Sequence, residues 1–117
     1  MSARAPVAAL LLSLFVADTV YADRRGDAKE QVEFGIQVAQ RGLWREAIYR
    51  WERATQIDPS YAAAYNNLAV AYEHEGQLDK ARAAYEKALE IEPANALIKQ
   101  NFDLFKEIND RAKKDGR

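Results

Sequence analysis

A chain of 117 residues with 17 basic and 18 acidic side chains carries a net charge of −1, so it lacks the positive field by which proteins hold nucleic acid. It has no cysteine, which excludes disulfides, thiolate metal sites, a thiol nucleophile and a lipid-modified cysteine anchor. With 30% charged and 49% apolar residues, its balance is that of a folded chain, one domain or a short repeat array.

The first element reads as an address. Met1–Arg4 bring one basic side chain, Ala5–Ala17 run without a charge, and Asp18–Ala22 end in Val20-Tyr21-Ala22. This layout predicts a secretory signal peptide over residues 1–22, cleaved after Ala22. The uncharged run is shorter than the roughly 20 residues that cross a bilayer core as a helix. Retention as an N-terminal membrane anchor is the alternative. Cleavage implies a periplasmic or secreted protein with no direct membrane role afterwards, beginning with a polar lead-in at residues 23–27.

A period follows. Ala28–Tyr61 set above Ala62–Asn95 aligns without a gap at a spacing of 34 residues. Ala28 meets Ala62, Gly42 meets Gly76, Ala47 meets Ala81, Glu52 meets Glu86, Ala54 meets Ala88, Ile57 meets Ile91 and Pro59 meets Pro93. Each unit predicts a helical hairpin. Asp27 with Glu30 three residues on predicts a capping box at the first helix, which carries Phe34, Val38 and a close-packing Gly35 and ends at Gly42. Trp44, Ala47, Ile48, Trp51 and Ala54 form one stripe of a second helix. Asp58-Pro59 ends it, because proline cannot continue the hydrogen-bond ladder. The second unit repeats the pattern over Ala62–Glu75 and Leu78–Ile91, with a turn at Gly76-Gln77 and a stop at Glu92-Pro93. Asn95 caps a last helix, Ala96 to about Ala112, with Ile98, Phe102 and Phe105 on one face. Residues 113–117 complete a charged tail that is expected to fray.

Tyr65, Leu68, Ala69, Tyr72, Gly76, Ala81, Tyr85, Ala88 and Pro93 make the second unit resemble a tetratricopeptide (TPR) repeat almost throughout. The first unit is similar through Phe34, Gly35, Gly42, Ala47, Trp51, Ala54 and Pro59, but Gln31 and Val38 stand where aromatics are usual. The resemblance implies an all-α fold, a short right-handed solenoid of antiparallel helical hairpins with five helices in the mature chain. A single hairpin cannot bury its own apolar face, so the units must stack and the last helix must close the stack.

The chemistry of sites is sparse. His74 is the only histidine. Glu73 and Glu75 point to other sides of its helix, and no second histidine or cysteine accompanies it, so no metal site is expected. Trp44 and Trp51, two turns apart, are expected in the core. No phosphate loop, nucleophile motif or cofactor signature is present, and no enzyme is expected.

The TPR resemblance implies a binding groove lined by the first helix of each unit. Its expected residues are Val32, Glu33, Ile36 and Gln40, then Asn66, Asn67, Val70 and His74, then Leu97, Gln100, Asn101, Leu104 and Ile108. Asn67 and Asn101 recur at one register, where their amides either grip a peptide backbone or serve helix packing. In TPR domains that clamp a C-terminal carboxylate, cations surround such an asparagine. Here Val32, Ile36, Leu97 and Asn101 hold those positions, so that mode is not expected. Leu97, Leu104 and Ile108 form a second apolar stripe on the last helix. It either covers the groove end, packing partly on Tyr72, or offers a contact patch. The resulting expectation is an exported scaffold that docks a peptide segment or helix of a partner protein. The alternative is a self-assembling unit that forms homo-oligomers through Leu97, Leu104 and Ile108.

Overall fold

The computed structural model describes residues 7–116, with side chains from Thr19 onward. Residues 1–6, the side chains of residues 7–18 and Arg117, and with them most of the expected signal peptide, lie outside the described residues. Five helices follow one another: α1 (Val7–Gln40), α2 (Trp44–Ile57), α3 (Ala62–His74), α4 (Leu78–Ile91) and α5 (Ala96–Lys114). No strand occurs among the described residues. The pairs α1/α2 and α3/α4 are antiparallel hairpins, α2 packs on α3, and α5 rests on α4.

The punctuation works as the residues dictate. Gly42 and Gly76 take positive φ, 78° and 73°, a conformation open to glycine at little cost. In each turn the following residue donates its N–H back to the helix, Leu43 to Val38 O and Gln77 to Tyr72 O. The glycines donate to Ala39 O and Glu73 O. Both ends are therefore Schellman motifs. Asn95 accepts a hydrogen bond from Ile98 N at 3.2 Å and caps α5, as expected.

Two boundaries differ from expectation. Asp27 caps nothing, because α1 runs unbroken from Val7 and carries the lead-in residues 23–27 as helix. No proline intervenes, and the single Gly26 costs a helix only about 1 kcal/mol. At the other end α5 continues through Lys114, so the charged tail is helical at its start.

Alanines that reach zero exposure (Ala28, Ala47, Ala54, Ala64, Ala69, Ala71, Ala81 and Ala88) let the helices approach. Trp51, Tyr85, Ile98 and Phe105 fill the spaces between them. The 34-residue period sets equivalent faces of α1, α3 and α5 side by side. Ala64, Leu68 and Ala71 on α3 are buried, and so are Ile98, Phe102 and Phe105 on α5. The matching residues of α1 are Glu30, Phe34 and Gln37, all exposed. Two are polar, and the ring of Phe34 is covered by the Arg50 guanidinium at 4.2 Å, a favourable cation–π contact.

The period also relates the faces that carry Tyr65, Ala69 and Tyr72. Tyr65, Ala69 and Tyr72 of α3 become Lys99, Asp103 and Lys106 on α5. Charged side chains there leave that face of α5 polar. Gln31, in the place of Tyr65, buries its amide oxygen without a hydrogen-bond partner.

An additional bond ties the lead-in to the stack. Arg25 Nε lies 2.5 Å from Asp58 Oδ2, and its Nη2 donates to Ser60 O and Oγ at 3.3 Å. Its guanidinium lies 4.7 Å over the Tyr61 ring. Burial raises the Asp58 carboxyl, but the hydrogen bonds from Ser60 and Arg25 outweigh burial and hold it below its ordinary value.

Candidate functional site

The 34-residue period places three rows across α1, α3 and α5. Glu33, Asn67 and Asn101 form the first, Ile36, Val70 and Leu104 the second, and Gln40, His74 and Ile108 the third. Within each helix the rows are three or four residues apart, and so lie on one face. Ile36, Val70 and Leu104 are 40%, 37% and 55% exposed, an apolar residue open to solvent at the same register of each helix.

Between α1, α2 and α3 this face deepens into a cleft of about 340 Å³ lined by Ile36, Ala39, Gln40, Trp44, Trp51, Asn67 and Val70. Its walls are aliphatic and indole, with two neutral amides. Such a mixture of apolar lining and few polar groups is typical of ligand-accepting clefts. Trp44, expected in the core, is half-buried at the cleft, its ring centroid 4.2 Å from that of His74. As the first residue of α2 it has no preceding turn to cover it. Leu78, at the same register of the second hairpin, is exposed. That helix-terminal position was the signal the stripe obscured. His74 itself is exposed, and no metal-holding cluster occurs among the described residues.

Not every expected lining residue faces the groove. Val32 is buried, and its carbonyl accepts the Trp51 indole N–H at 3.0 Å. Asn66 is buried too, and accepts from Asn101 Nδ2 at 3.2 Å. That pair joins α3 to α5, so the Asn101 amide is engaged in packing while Asn67 lines the cleft. The spacing alone could not separate these roles, because an amide serves either equally well.

Leu97, Leu104 and Ile108 stay uncovered at 61%, 55% and 56% exposure, with Gln100 also exposed beside them. They do not pack on Tyr72. Its hydroxyl donates to Glu52 Oε1 at 2.8 Å, and its ring lies under Lys80. Glu33 is exposed, and none of the ion pairs among the described residues includes it.

Comparison with known proteins gives a consistent picture. Residues 62–95 match a family model described as a tetratricopeptide repeat, and residues 38–76 match another described as a TPR repeat. The chain is 33% identical over 82 residues to the type IV pilus assembly protein PilF of Pseudomonas aeruginosa, covering 69% of this chain and 32% of that protein. It is 33% identical over 69 residues to small glutamine-rich tetratricopeptide repeat-containing protein 2 of Mycosarcoma maydis, covering 59% and 20%. It is 34% identical over 68 residues to protein O-mannosyl-transferase TMTC1 of Mus musculus, covering 58% and 7%. The chain thus spans a third or less of the length of these relatives.

Proposed function

This chain belongs to the tetratricopeptide repeat family over residues 38–95, and on that premise we propose that it is an exported, non-catalytic module that docks a segment of a partner protein on its α1/α3/α5 face. The observation that carries this reading is the exposed row Ile36, Val70 and Leu104. On α5 the face towards a hairpin partner has become charged, yet the residue in this row has stayed a leucine. An apolar row left over from repeat packing would have changed with the rest. Transfer chemistry belongs to the mannosyl-transferase relative, of which the match covers only 7%. The uncharged run Ala5–Ala17 followed by Val20-Tyr21-Ala22 supports export.

Val70→Asp tests the docking surface. The side chain is exposed, so the melt should hold. A buried, unpaired carboxylate in the complex should weaken capture of the partner by about tenfold or more. Capture from an envelope fraction that survives Val70→Asp but is lost with Leu104→Glu and Ile108→Glu would move the contact to the last helix. Self-association through Leu97, Leu104 and Ile108 is the second reading, supported by their exposure. Sedimentation separates the two: a monomer that still captures its partner leaves the docking reading in place.

Export is tested by amino-terminal sequencing of the exported protein, which is expected to begin Asp23-Arg24-Arg25. A membrane-held product that retains Met1 would replace cleavage with the anchored alternative.

A further inference from the structure

We infer that the docked segment is a basic peptide, with one large apolar side chain seated in the α1/α2/α3 cleft and a lysine or arginine close to it that meets Glu33. This rests on the docking reading above and names the chemistry of its partner.

The apolar half follows from the cleft. Ile36, Val70, Trp44 and Trp51 wall a space of about 340 Å³, room for a single bulky side chain. Asn67 and Gln40 stand at its lining, where neutral amides can donate to and accept from the backbone of the segment.

The basic half follows from charge. Glu33 lies one helical turn before Ile36 on the same face of α1, exposed and outside every ion pair among the described residues. It is the one carboxylate in the three rows, and neither lysine nor arginine belongs to them. Lys29, a further turn from the cleft, makes no ion pair with it. Three arginines are paired with other acids, Arg25 with Asp58, Arg50 with Glu46 and Arg111 with Glu107, and no arginine stands in the three rows. A cation beside the apolar anchor finds an unpaired partner there. An acid in the same place meets the like charge of Glu33.

The test uses the full chain and short peptides with blocked termini, so that only side chains are charged. Each carries one phenylalanine on an alanine–serine background and, close to it, one lysine, serine or glutamate. Binding is read by tryptophan fluorescence, since Trp44 lines the cleft. At low salt the lysine peptide should bind tightest and the glutamate peptide weakest. Each step should be about two- to fivefold, the worth of one exposed ion pair. High salt should close the gaps. Glu33→Gln, an isosteric change at an exposed site, should equalise the three peptides at the affinity of the serine peptide and leave the thermal melt unchanged.

Equal binding by the three peptides, or preference for glutamate, overturns the basic assignment. If Val70→Asp still abolishes that binding, the docking reading survives without it. If no peptide binds the folded chain at all, both fall.

Discussion

Trp51→Ala is expected to cost the fold about 3–5 kcal/mol, the range for removing a buried aromatic side chain. The ring is 4% exposed. Its N–H donates to Val32 O at 3.0 Å, so truncation also leaves a buried carbonyl without its partner. The surroundings cannot easily collapse into the space, because the indole is seated against a glycine. A Cβ built at Gly35 would stand 2.3 Å from Trp51 Nε1. Domains of this size hold about 5–15 kcal/mol in total, and melting temperature moves by roughly 4–8 °C per kcal/mol. A thermal melt followed by circular dichroism should therefore fall steeply or lose its cooperative transition. Gly35→Ala attacks the same contact from the other side and should cost about 1–3 kcal/mol through overpacking. If both variants melted with the parent, the α1/α2 hairpin would not be held by this ring.

Truncation after Pro93 should have an effect of similar size on the second hairpin. Tyr85 of α4, 1% exposed, packs on α5, its ring centroid 5.4 Å from Phe102 and 5.5 Å from Phe105. Ile98 closes over Ala62 and Ala88. Without α5 these surfaces meet water, at about 25 cal/mol per Å² of apolar area. The Tyr85 hydroxyl, bonded to Glu73 at 2.5 Å, cannot hold the ring in place alone. The shortened chain should bind an apolar dye, lose its sharp melt and aggregate, while keeping helical circular dichroism. A cooperative melt near that of the parent would show that α5 does not close the stack.

How much of this could be read from residues alone depends on which neighbour each residue needs. The period, the hairpins and their ends were legible, because glycine at Gly42 and Gly76 and proline at Pro59 and Pro93 act through the backbone of their own turn. The buried stripe Ile98, Phe102 and Phe105 was legible for a related reason: helical periodicity sets which side chains share a face.

Other features depended on contacts distant in the chain. The Asp27 cap failed because helix continuity upstream decided it. Trp44 and Trp51 share a stripe, but only the start of α2 beside the α1/α3 cleft leaves one open while α1 covers the other. Asn67 and Asn101 share a register, yet only the approach of α5 to Asn66 engages the second and leaves the first at the cleft. Glu30, Phe34 and Gln37 stand where Ala64, Leu68 and Ala71 are buried, and they are exposed because no other described helix buries them. The repeat determines the direction in which a side chain leaves its helix. Whether another element lies in that direction is decided by the stack as a whole, and burial, pairing and availability for binding follow from it.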